Sequence, residues 1–180
     1  FPKPKYTKKI KKLLKLIIPG AIGAGVIQIN LLIDIVLASF LPTGSVSYLY
    51  YAERINQLPI ALIGVAIGTA LLPKLSKQIS NNETRNANNT LNRALEFALI
   101  LGLPSAISIC LLSDPIISSF FERGEFNIND RMSSANALKA FGIGIPAYIF
   151  VKVLSPAFFA RQNTKTPVKV GIFCVFLNFI

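Results

Sequence analysis

Long apolar blocks, and connections that alternate between basic and non-basic, predict an all-α membrane protein built as a polytopic helical bundle. Of 180 residues, 52% are hydrophobic, and the mean hydropathy is +0.54. Most of the charge lies between the blocks. Histidine is absent, and Cys110 and Cys174 both fall inside apolar blocks. This composition argues against a metal cluster, a His-based general base or a disulfide framework, and both cysteines read as small buried hydrophobes.

The blocks cover residues 16–41, 48–72, 94–112, 137–160 and a truncated 168–180, after a basic lead-in at 1–15. A span needs about 20 apolar residues to cross a hydrocarbon core about 30 Å thick, and the first four blocks qualify. Because the chain starts at Phe1 and stops inside an apolar block, it is expected to be a fragment of something longer.

Charge then orients the spans. Lys3, Lys5, Lys8, Lys9, Lys11, Lys12 and Lys15 precede the first block. Lys74, Lys77, Arg85 and Arg93 occupy the second connection, and Arg161, Lys165 and Lys169 the fourth. The first connection has no cation, and in the third Arg123 and Arg131 are offset by Asp114, Glu122, Glu125 and Asp130. The positive-inside rule therefore places the N-terminus in the cytoplasm. On that orientation the lysine run is an anchor against anionic headgroups of membrane lipids, not a nucleic-acid patch.

In the first span, Gly20, Gly23, Ile27, Asn30, Asp34 and Ala38 recur at helical spacing and share one face. Lipid would not stabilise such a face, so it is expected to meet protein or water. Asp34 is either a structural, internally paired carboxyl or a functional one. The second span repeats the pattern with Arg54, Gln57, Ala61, Gly64 and Gly68, the last two forming a small-xxx-small packing motif. A cation at membrane depth costs about 2.5–3.5 kcal/mol on insertion scales. Geometry leaves Arg54 open between a side chain snorkelling to the headgroups and a cation lining a cavity. Glu53 points about 100° away from Arg54 and is not its expected partner. Pro59 is expected to kink the helix just beyond this pair.

The connection 73–93, rich in Asn, Ser and Thr, reads as a mobile loop. Asp114, with Pro115 following, is expected to cap a separate short helix, and Asn129 or Asp130 to cap the fourth long one. Lys139 and Lys152 read as snorkelling residues.

Several motifs together resemble the MurJ (MviN) family of lipid II flippases. They are Gln28-Ile29-Asn30-Leu31-Leu32-Ile33-Asp34, Gly44-Ser45-Val46-Ser47-Tyr48-Leu49-Tyr50-Tyr51-Ala52-Glu53-Arg54 and Phe121-Glu122-Arg123-Gly124-Glu125-Phe126. Gly64-Val65-Ala66-Ile67-Gly68-Thr69-Ala70-Leu71-Leu72-Pro73 and the run from Val151-Lys152-Val153 through Thr164-Lys165-Thr166-Pro167 extend the resemblance in order along the chain.

The resemblance implies the multidrug/oligosaccharidyl-lipid/polysaccharide exporter-type fold, with this chain covering the seventh helix to the start of the eleventh. It implies a non-enzymatic transporter of the bacterial inner membrane. Such a transporter moves lipid II, the undecaprenyl-pyrophosphate-linked disaccharide pentapeptide, and serves the cell-wall synthesis machinery. It matches Arg54 to an arginine that meets the anionic headgroup, and Asp34, with Asn178 beyond it, to acids and amides proposed as sodium ligands. No other cofactor is implied. With Arg54, the residues Glu53, Gln57 and Asn30 complete the expected substrate-binding set. The rival readings are another exporter of the same superfamily, a membrane enzyme acting on polyprenyl phosphates, and a non-transporting scaffold.

Overall fold

The computed structural model describes residues 8–179, leaving out the side chains of residues 8, 9, 11–16, 19, 27, 178 and 179. Most of the lysine-rich lead-in and the side chain of Asn178 therefore lie outside the described residues. Six α-helices follow in order: α1 (Lys8–Ser39), α2 (Ser45–Pro59), α3 (Ala66–Ser80), α4 (Thr84–Phe121), α5 (Ile128–Ala160) and α6 (Lys165–Phe179). A π-helical turn, Ile60–Val65, joins α2 and α3 into one rod. The segments Gly20–Ser39, Ser45–Ser80, Thr84–Phe121 and Ile128–Ala160 are long and apolar enough to cross a membrane.

Cross-helix bonds give the direction of each span. At one end, the Tyr48 hydroxyl donates to Asp130 Oδ1 at 2.7 Å, and Arg131 pairs with Glu122 at 3.1 Å. At the other, Gln78 Nε2 donates to Thr90 Oγ1 at 3.0 Å and Arg161 Nη2 to Asn88 Oδ1 at 2.9 Å. The α2–α3 rod and α5 thus run from an aromatic end to a basic end, and α4 runs back between them. The alternation matches the one the charges predict.

α5 is the central helix. Its buried face, Ser134, Ala135, Leu138, Gly142, Ile145, Ile149, Val153 and Ala157, recurs every three or four residues and packs on α4, α2 and α3. Large apolar side chains such as Leu62, Leu111 and Ile143 point outward instead, as a bundle solvated by lipid requires. α1 sits apart from this group and pairs with α6. A Cβ on Gly23 would meet Val168 at 2.8 Å, and one on Gly171 would meet Val26 at 3.8 Å, so the two helices run parallel.

Several local expectations are corrected. The segment 73–93 is not a mobile loop: α3 continues to Ser80 and α4 begins at Thr84, leaving a three-residue turn with Asn82 at φ 60°. Asn tolerates this left-handed conformation, and Glu83 braces the turn by accepting from Asn81 and Asn86. The separate short helix expected near Asp114 is present: α4 breaks its helical geometry at a kink, Leu112 (φ −107°, ψ 17°), and a further short segment runs on to Phe121. The carboxylate of Asp114 forms an ion pair with Arg131 Nε at 3.1 Å. The cap of α5 is Asn127, with Asp130 closing a reciprocal capping box. Cys174 is exposed and Cys110 half-buried, since α6 packs mainly on α1 and meets little of the central group.

Candidate functional site: the polar faces of the first two spans

The π turn determines where Arg54 points. Above it, α2 buries Ala52, Ile55 and Asn56; the turn itself buries Ile63 and Gly64, and below it the rod buries Gly68, Leu71 and Leu75. Pro59 has no N–H to donate, and the ladder resumes through bonds spanning five residues. The inserted residue advances the helix by about 100°, which swings the packing face around the rod. The expected single stripe is therefore divided. Arg54, Gln57 and Ala61 are exposed, whereas Gly64 and Gly68 press on α5. A Cβ on Gly68 would lie 2.5 Å from the Lys152 carbonyl oxygen, and one on Gly64 would lie 3.1 Å from Lys152 Cβ. The small-xxx-small motif is thus a close-packing device, as its residue types predict. The stem of Lys152 covers it while its residue stays exposed overall.

Arg54 stands about 13 Å along the helix from Ser45. Its guanidinium lies over the Tyr50 ring, 4.6 Å from the centroid, and donates to the Tyr50 hydroxyl. Side chains on a helix lean toward its N-terminus, so Arg54 is turned toward the aromatic end. Glu53 is not its partner: its Oε1 accepts from Gln57 Nε2 at 2.9 Å. On α1, Asn30 Nδ2 donates to Asp34 Oδ2 at 3.2 Å. The six expected site residues thus form three short-range pairings with neighbours one turn away, except Asn178, whose side chain is undescribed. No described bond joins the α1 pair to the α2 group.

The aromatic end is more tightly built than expected. Tyr51 packs on Phe121 (4.9 Å between centroids) and edge-on to Phe126 (5.3 Å), tying α2 to the α4–α5 connection. The Ser118 hydroxyl, donating at 2.5 Å, and then Arg131 hold the Glu122 carboxyl below the usual carboxylate range. Asn56 was missed as well. It is 5% exposed, and its Oδ1 is buried with no hydrogen-bond partner, one turn before the π segment. The signal was a second amide beside Gln57, about 100° around the helix from it.

A recess of about 330 Å³ lies at the α1–α2 corner, walled by Leu41, Pro42, Tyr48 and Leu49 and closed by Ser133 and Ala137 of α5. Arg54, Asn30 and Asp34 do not line it.

Comparison with known proteins supplies the frame. The family model for lipid II flippase MurJ matches residues 2–180. Among curated relatives, probable lipid II flippase MurJ of Rhizobium tropici is 43% identical over 97% of this chain, and that of Haemophilus influenzae 40% over 98%. These alignments cover 33% and 36% of the relatives, so the chain spans about a third of their length. A solved structure, lipid II flippase MurJ in an inward closed conformation, superposes with a TM-score of 0.80 at 35% identity, covering 97% of this chain and 37% of the other. The helical, strand-free architecture of the described residues is therefore that of a multi-pass exporter-type membrane fold. This chain belongs to the MurJ family of lipid II flippases.

Proposed function

We propose that this chain is part of a bacterial inner-membrane transporter that moves lipid II between leaflets by alternating access, with its own N-terminus in the cytoplasm. The observation that carries the reading is Arg54: a guanidinium within a span, on the face of α2 that the π turn directs away from the α5 core. A cation there is stabilised by a hydrated cavity and an anionic headgroup, and arginine binds phosphate oxygens with a fixed fork. Gln57 and Glu53 add a donor and an acceptor one turn away on the same helix. The amide and carboxylate of Asn30 and Asp34 offer oxygen donors suited to sodium as the coupling ion. No bond is made or broken in such a cycle, so the function is transport and not catalysis. Lipid II and membrane lipids are the partners, and the cell-wall synthesis machinery receives the product.

The test is complementation of a flippase-depleted strain by the full-length protein. Arg54→Ala is expected to abolish growth while membrane insertion is retained, and Arg54→Lys to rescue it only partly. Normal growth with Arg54→Ala would return Arg54 to the snorkelling class. Transport of labelled lipid II against a labelled O-antigen precursor separates this reading from the related exporters.

A further inference from the structure

Between α3 and α4, at the basic end, lies a groove of about 750 Å³, the size of a lipid- or ligand-binding cleft. Its walls change character with depth. Arg93, Phe97 and Leu101 stand one turn apart along the lining face of α4, so a cation gives way to apolar surface. Lys74 faces them from α3, and no carboxylate lines the groove. Gln78 ties the two helices by donating to Thr90 at 3.0 Å, while its Oε1 is buried and accepts nothing.

We propose that this groove is a binding site for one anionic phospholipid of the phosphatidylglycerol type, distinct from the Arg54 face. Lys74 and Arg93 meet the phosphodiester, and an acyl chain lies along Phe97 and Leu101. Basic clefts between membrane helices bind anionic headgroups in this way. A soluble anion would leave the apolar wall unused, and a zwitterionic lipid would bring a second cation to Lys74 and Arg93. The site stands whether or not the protein flips lipid II, because its readout is lipid occupancy.

The full-length protein carrying Phe97→Trp is placed in nanodiscs containing brominated-chain phosphatidylglycerol or brominated-chain phosphatidylcholine, and quenching is measured against the protein without Phe97→Trp. Stronger quenching by phosphatidylglycerol is expected. Lys74→Gln and Arg93→Gln should each lower that preference roughly fivefold and together roughly thirtyfold, with Lys74→Arg retaining it. Equal quenching by both lipids overturns the proposal. So does no quenching by either, which means another part of the chain fills the groove. Displacement of phosphatidylglycerol by a polyprenyl pyrophosphate also overturns it, making the groove a substrate path.

Discussion

Gly68→Ala tests the claim that the second span is pinned to α5 by backbone proximity. The new methyl would sit 2.5 Å from the Lys152 carbonyl oxygen, whereas ordinary contact begins near 3.4 Å, and the obstacle is backbone. The helices must separate by close to an ångström locally or the rod must twist. Overpacking of this kind costs about 1–3 kcal/mol, offset by up to about 1 kcal/mol from the better helix propensity of alanine. In a full-length protein roughly three times as long as this chain, a net loss of about 1–2 kcal/mol corresponds to a fall of only about 1–2 °C in apparent Tm. The assay is thermal unfolding of the detergent-solubilised full-length protein, beside Gly64→Ala and Gly25→Ala. At Gly64 the nearest atoms are 3.1 and 3.3 Å away, and at Gly25 nothing lies within 4 Å. The expected order of destabilisation is Gly68, then Gly64, then Gly25. If Gly68→Ala is tolerated as well as Gly25→Ala, the close approach of α3 to α5 is refuted.

Four further outcomes are expected. Asn127→Ala removes the capping box of α5 and should cost about 1 kcal/mol, read as a lower Tm and faster amide exchange over the first turn of that helix. Asn56→Leu replaces a buried amide whose oxygen is unpartnered, so stability should hold or rise; a fall in transport with stability unchanged would assign Asn56 to the cycle. Asp34→Ala should weaken any sodium dependence of transport, and an unchanged dependence removes it from the ion site. For pH, Glu122 is held below the ordinary glutamate value of about 4.3, so its bonds stabilise the fold above that value and are lost as pH falls through the lower folded value. Protection of the 122–127 amides, taken relative to their intrinsic exchange rate at each pH, should therefore fall in acid, and Glu122→Gln should remove that dependence.

Fold class and the antiparallel alternation of the spans were legible because both follow from one-dimensional quantities, block length and loop charge. The membrane enforces them with few exceptions. The 73–93 segment was misread because its polar residues, Asn86, Asn89 and Thr90 among them, signal loop by composition. They instead sit on helices that project past the apolar block, where water solvates them. The 54–68 stripe assumed an unbroken 3.6-residue period, and Pro59 gave notice of a disturbance without giving its size. The pairings of Arg54 with Tyr50 and of Tyr48 with Asp130 depend on rotamers and on tertiary register, which hydropathy does not encode. Arg54 was singled out by the energetic penalty of its position, and it stands exposed on α2.

The π turn makes the second span a phase shifter: one continuous rod presents two different sides to the same neighbour. Its setting is counted in residues. Were Ile60–Val65 to close as an ordinary α-helix with all six residues kept, everything above it would rotate by about 100°. Arg54 would then swing relative to α5 with no side chain at the site altered. Deleting one residue of this segment would instead remove the insert together with the π turn and keep both buried faces on α5.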